Sequence, residues 1–558
     1  MKLTDWIVLV LTLAAIIAYG LYKSRHTKNL EGYFLSSRSM PWWLILLSIM
    51  GTQASAVTFL SAPGQAYTDG MRFLQNYFGL PIATIIICAF FVPIYHKLKV
   101  YTAYEFLENR FDLKTRTLTS FLFLLGRGLS TGISIYAPAI IISSLLGWNI
   151  YLTNLIVGGL LIIYTVSGGS KAVAYTQQLQ FLLILGGMVL AGYLAVQGLP
   201  QGIGLKEALL TGGSQGKMNV ITTGYEGGHG FNWKDRYNLL SGIIGGLFLQ
   251  LSYFGTDQSQ VGRYLTAKNL KESRIGLLMN GLVKIPMQFF ILLVGVLVFA
   301  FYQYKQAPVF FNDTLVAQAR STPYRPVLDS LEASYNHLAS QRANQLQQSP
   351  QPFQNHDTLN LQMQQVRNQY KSTLQLAVPA AESNDTNYIF LYFVTHQLPQ
   401  GLVGLLVAVI ILAAWGSIAA ALNSLASCTV IDIHHKVLNK NCDEKTSYNL
   451  SWQYTLGWGL FCIAVAMFAT NMGSLIEAVN ILGSLFYGVI LGIFLVAFFI
   501  PFVKGNAVFW AAVLAEVGII TIYRMEVVSF LWLNVIGAVL VVLLGMVLQA
   551  AGRIGAAR

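Results

Sequence analysis

Two cations stand inside apolar runs of this chain, Arg127 within 116–147 and Lys284 within 272–303. Placing either charge at mid-bilayer costs at least ~2.5–3.5 kcal/mol, so such a cation is expected to meet an anion there. Arg127 lies about three helical turns into its run, and its alternative is to snorkel to the nearer surface. Lys284 is deeper, in LVKIPMQ. Two further stretches, SIMGTQASAVTFLSAPGQAY (48–67) and SGIIGGLFLQLSYFGTDQSQ (241–260), are membrane-length runs interrupted by Gly and small polar residues. A helix in hydrocarbon releases backbone hydrogen bonds only where protein, water or an ion takes them up. Paired interruptions in the two halves of a chain therefore point to a central binding site for an ion and its cargo.

The elements that must hold these residues are helices. The chain has 558 residues, 55% hydrophobic and 10% charged, with a mean hydropathy of +0.56. This is the composition of an all-α polytopic membrane protein. Taking about 20 apolar residues per crossing, the sequence predicts about 13 spans: 3–23, 41–64, 72–97, 116–147, 149–168, 173–197, 238–256, 272–303, 396–433, 450–470, 473–503, 506–523 and 528–551. Lys and Arg concentrate in the loops at 22–40, 96–116, 261–274 and 436–445, which predicts these as cytoplasmic, with the N-terminus outside and the C-terminus inside. The net charge of +12 is spread over these short loops, where it meets anionic headgroups of the lipid bilayer; no nucleic-acid partner is expected. Cys88, Cys428, Cys442 and Cys462 show no CxxC spacing, so neither disulfide framework nor metal centre is expected of them.

One segment departs from this pattern. Residues 304–395 are polar and Gln-rich, with Leu328, Leu331, Tyr335 and Leu338, then Met363, Val366, Tyr370 and Leu374, at helical spacing. Two prolines in QQSPQPFQNHD separate the sets, which predicts a helical hairpin on the outer face.

Several motifs together resemble the sodium:solute symporter family, its iodide, monocarboxylate and vitamin branch more than its glucose branch: SAVTFLSAPGQAY (55–67), YTAYEFLENRF (101–111), YAPA (136–139), SGGSKAVAYTQQLQ (167–180), YFGTDQSQVGRYL (253–265) and LNSLASCTVIDI (422–433). The resemblance implies a leucine-transporter-like inverted repeat of five plus five helices. One span and loop (1–40) would precede it, with repeats at 41–197 and 238–503, an outer loop at 198–237, the insertion at 304–395 inside the second repeat, and two final spans within 504–558. It also implies a sodium site at the carbonyls of Gly51, Ala54 and Ala413 and the Ser417 hydroxyl. The chain departs from the family pattern at Gly416, where a second hydroxyl is usual, and at Gln177, where many relatives carry Asp. A second sodium site is not expected.

The positions implied for substrate are Thr58, Asn76, Tyr77, Arg127, Gln250, Tyr253 and Lys284. Thr58, Tyr77 and Val479 replace residues that bind sugar hydroxyls in the glucose branch, which leaves a smaller, more apolar pocket with two cations. Asp257 is expected to pair with Arg263 or Lys284, or to cap the half-helix after the second break. The expectation is a transporter and not an enzyme: a plasma (inner) membrane carrier that takes up a small organic anion such as a monocarboxylate, with sodium as coupling ion and no other cofactor. A sugar symporter, a proton-driven or uncoupled carrier, and a non-transporting solute sensor are the alternatives.

Overall fold

The computed structural model describes residues 2–24, 38–226, 230–348, 357–379, 382–439, 444–469 and 472–556. Most of the basic loop at 22–40, the proline-rich break at 349–356 and Cys442 lie outside them. Apart from one pair of two-residue strands, the regular structure is helical.

The chain runs α1 (Leu3–Ser24), α2 (Trp42–Gln53), α3 (Ala56–Asp69), α4 (Met71–Leu98), α5 (Glu105–Arg110), α6 (Leu113–Leu146), α7 (Ile150–Gln197) and α8 (Leu205–Ser214). It continues through α9 (Ser241–Gly255), α10 (Gln258–Tyr264), α11 (Leu270–Tyr304), α12 (Asp313–Arg320), α13 (Arg325–Gln348), α14 (Asp357–Ala377) and α15 (Thr386–Gln397). The last five are α16 (Leu402–Leu438), α17 (Glu444–Met467), α18 (Leu475–Phe499), α19 (Gly505–Arg524) and α20 (Phe530–Ala556).

Among the described residues, nine helices are long and apolar enough to cross a membrane, and the bent pair α2 and α3 makes up to ten. Three shorter apolar helices cover Leu3–Ile16, Ile150–Thr165 and Ser241–Gly255. The runs expected at 149–168 and 173–197 join in the single 48-residue α7. At 1.5 Å per residue it is more than twice as long as the hydrocarbon is thick, so it is too long for one crossing.

The core is one continuous apolar cluster around α3, α11 and α16. Large apolar side chains such as Ile163, Leu282, Leu460 and Trp510 are exposed on the outside of the bundle, as a lipid-facing surface requires. The insertion splits differently from its sequence pattern. Val309, Phe310 and Phe311 at its start and α15 at its end are buried. Between them, α13 and α14 pack on each other through Leu328, Tyr335, Met363, Tyr370 and Leu374, with Leu331, Leu338 and Val366 partly buried beside them, in a core of their own.

Candidate functional site

The first interruption is a true mid-span break. α2 stops at Gln53, Ala54 and Ser55 are extended or irregular, and α3 sets off at 61° to α2. The freed groups find partners locally: the Gln53 carbonyl accepts from the Thr58 hydroxyl at 3.1 Å, and Gln53 Nε2 donates to Asn280 on α11 at 3.1 Å. The tilted half-helix is buried from Ala56 to Tyr67. Gly64 allows this, because a Cβ there would lie 2.0 Å from the Thr386 carbonyl.

The second interruption is elsewhere than its glycines suggested. Residues 241–255 stay helical, beginning with a π turn, and the chain breaks only at Thr256 and Asp257. The glycines serve close packing: a Cβ on Gly242 would stand 2.4 Å from the Gln75 carbonyl. Asp257 caps α10 by accepting from the Ser259 amide at 2.8 Å.

Between the two breaks lies a cavity of about 110 Å³. Thr58 reaches it from α3, Asn76 and Tyr77 from α4, Arg127 from α6, Gln250 and Tyr253 from α9, and Lys284 from α11, so all seven expected substrate positions line one space. Sequence reasoning missed Gln53, Ser55, Ser134, Asn480 and Tyr487 on the same wall. Gln53 and Ser55 flank the break itself, and Asn480 adjoins Val479, so proximity to the motifs was the available signal. These amides and hydroxyls share the wall with apolar side chains such as Val57, Leu249, Ile476 and Val479.

Neither cation snorkels. Arg127 is 11% exposed and lies 3.8 Å from Asp257 Oδ2, with its guanidinium 5.9 Å from the Tyr253 ring centre. Its Nε has no hydrogen-bond partner among the described residues. Asp257 thus pairs with Arg127 and not with Arg263 or Lys284; the same Oδ2 accepts from the Tyr487 hydroxyl at 2.8 Å. Lys284, 1% exposed, sits 5.2 Å from the Tyr77 ring centre, and no carboxylate among the described residues is within ion-pair distance of it. Arg127 is the charged group of the cavity with bonding capacity to spare, and a buried guanidinium with an unused N–H favours an oxyanion.

Next to it a smaller cavity of about 80 Å³ is lined by Thr52, Gln53, Ser55, Ser130, Thr131, Ser134 and Ser417 among others. Of the four expected sodium ligands, Ser417 faces this space, and its hydroxyl donates back to the Ala414 carbonyl at 3.0 Å. Gly51 packs on Gln177, Ala54 is at the break, and Ala413 is buried on α16. Oxygen donors are plentiful here, as a sodium ion requires, but no carboxylate lines the space.

A family model described as the sodium:solute symporter family matches residues 33–322 and 366–515. The chain belongs to that family. The sodium/sialic acid symporter SiaT of Proteus mirabilis (strain HI4320) is 24% identical over 538 residues, 96% of this chain and 92% of that protein. The sodium-coupled monocarboxylate transporter 1 of Xenopus laevis is 25% identical, over 89% of this chain and 67% of its own length. The human sodium/iodide cotransporter is 29% identical over 255 residues, 45% of this chain and 38% of its own. A solved structure, the substrate-bound outward-open state of a Na+-coupled sialic acid symporter, superposes with a TM-score of 0.76 at 22% identity, covering 99% of this chain and 98% of that one. The expected fold class, an all-α polytopic membrane protein, stands on this likeness, and the chain is a symporter-family protein and not an enzyme. Residues 323–365, all of α13 and the start of α14, fall outside the matched family model.

Proposed function

We propose that this protein is a secondary active transporter that carries a small, polar organic anion inward together with sodium. The observation carrying this is the cavity between the two breaks, where Arg127 keeps an unused N–H and Lys284 has no carboxylate beside it. The anion's carboxylate meets Arg127, and Lys284 serves a second oxygen or draws the charge inward. Thr58, Asn76, Gln250 and the newly found Gln53, Ser134 and Asn480 supply donors and acceptors for a hydroxylated or amide-bearing body. Tyr77 and Tyr253 close on its flat or apolar face. A hydroxyl buried without a partner costs about 1–3 kcal/mol, so a wall with this many polar groups selects cargo that satisfies them. An unadorned short monocarboxylate leaves most of them idle.

Sodium, the coupling ion in this reading, binds near Gly51, Ala54, Ala413 and Ser417, where α2 meets α16, and steadies one arrangement of the broken helix. Cargo then binds, the bundle rocks against its scaffold, and both leave inward. An N-terminus outside, an inner or plasma membrane location, the α13–α14 pair on the outer side and the repeat boundaries given above complete the reading.

Uptake into proteoliposomes tests it. Hydroxylated carboxylates, sialic acid included because two relatives carry it in their names, should accumulate faster with an inward sodium gradient than with choline. Accumulation of neutral sugars but no carboxylate, or equal rates in sodium and choline, would defeat the reading.

A further inference from the structure

Gln177, on α7, is fully buried between α2 and α16. Its Nε2 donates to the Thr52 hydroxyl oxygen at 3.2 Å and to the Gly416 carbonyl at 3.1 Å. Its Oε1 accepts from the Ser48 hydroxyl at 3.1 Å. The neighbours fix this orientation. The Gly416 carbonyl can only accept, and the Thr52 hydroxyl already gives its proton to the Ser48 carbonyl at 2.8 Å. The amide NH₂ is therefore the group that faces both oxygens.

Two glycines make room for it. A Cβ on Gly51 would lie 2.8 Å from Gln177 Cβ. A Cβ on Gly416 would lie 3.2 Å from Gln177 Cγ and 2.6 Å from Gln180 Oε1. Gly51, Gln177 and Gly416 thus form one fitted set across three helices, and the two departures from the family pattern noted in the sequence explain each other. An NH₂ group presents two partial positive charges to two oxygens on opposite helices, which is the electrostatic task of a monovalent cation at such a joint.

We propose that the side-chain amide of Gln177 stands in for a cation between Thr52 and Gly416, so that it closes the α2–α16 joint by itself and sets how weakly sodium binds there. The inference rests on the sodium-coupled reading above only for the location of the cation. A sodium ion that is to add the Thr52 hydroxyl or the Gly416 carbonyl to its shell must first displace the amide from it. The joint therefore holds together without sodium, and sodium adds little to it.

The test is thermal unfolding of the purified full-length protein in detergent, titrated with sodium chloride against choline chloride at constant ionic strength, for the wild type, Gln177→Ala and Gln177→Asp. Gln177→Ala frees both oxygens and should lower the half-saturating sodium concentration several-fold. Gln177→Asp adds a charge and should lower it by about tenfold or more. A rise or no change in both variants overturns the inference, since a glutamine that ligated sodium through Oε1 would make Gln177→Ala bind more weakly. The same holds if no variant responds to sodium. The outcomes separate the two readings. A wild type silent to sodium beside a responsive Gln177→Asp supports the amide's role and removes sodium coupling from the natural protein. A responsive wild type with unimproved variants leaves sodium coupling standing and removes the amide's role.

Discussion

Two buried arginine–aspartate pairs in this protein are built to opposite specifications. At the N-terminal end of α6, Arg116 is 2% exposed and its partner Asp432 is fully buried. Every donor there is used: Arg116 reaches Asp432 through Nε at 2.8 Å and also bonds Glu108 and the Ile431 carbonyl. Asp432 accepts in addition from the Thr102 and Ser120 hydroxyls. Three turns further along the same helix, Arg127 and Asp257 stand 3.8 Å apart beside a cavity, with Arg127 Nε unsatisfied. The saturated pair is a fastener tying α5, α6 and the end of α16 together. The loose pair keeps bonding capacity in reserve, which is what a site awaiting a ligand needs.

If that distinction holds, the largest effect on stability belongs to the first pair. Asp432→Ala takes away the carboxylate that Arg116 meets through two nitrogens and should cost roughly 3–5 kcal/mol, measured as thermal or denaturant unfolding in detergent. Arg127→Ala should lower that unfolding temperature less, because Asp257 keeps Tyr487 and the Ser259 amide, and it should reduce uptake by about ten- to a hundredfold through loss of a charge-assisted contact. Equal loss of stability from both variants would erase the contrast.

Lys284→Met removes a buried charge that has no opposite charge beside it, so stability should hold or improve. Affinity for anionic cargo should fall by about tenfold relative to a neutral analogue, read by ligand-induced thermal shifts. Tyr487→Phe frees Asp257 to engage Arg127 more fully and should weaken cargo binding about fivefold, the worth of one net hydrogen bond.

The smallest effect sharpens the comparison from outside the spans. Asp385 holds Arg367 at 2.7 Å and Lys371 at 3.2 Å, which ties α14 to the start of α15. Burial pushes its carboxyl up, but Arg367 and Lys371 outweigh this and hold it below its ordinary value of 3.8. A lowered folded-state value means that the pair's contribution is complete above that ordinary value and fades only as pH falls below it. Proteolytic protection of α13 and α14 should therefore be level from pH 8 to about pH 5 and decline only below about pH 4.

The first break was legible because Gly51, Ser55 and Thr58 put small or polar residues into an apolar run, although of the three only Ser55 stands at the break itself and Gly51 and Thr58 are helical. The second was misplaced for an instructive reason. Gly242, Gly245 and Gly246 carry the same sequence signal, but glycine serves close helix packing as readily as unwinding, and only the position of the Gln75 carbonyl decides between the two. Asp257 shows the same limit. Its role as a cap follows from local sequence, whereas its choice of Arg127 over Arg263 or Lys284 depends on how α6 lies against α10.

The sequence by itself determined the membrane class, the helical composition, the family and the seven residues around the central cavity. These follow from hydropathy, from the cost of charge in lipid and from motifs whose spacing survives divergence. Only the tertiary structure decided which further amides and hydroxyls line the cavity, that Arg127 turns inward instead of snorkelling, and that Gln177 fills the joint between Thr52 and Gly416. Each of those depends on residues far apart in the chain meeting within a few ångströms, and pattern along one strand of sequence carries no record of such a meeting.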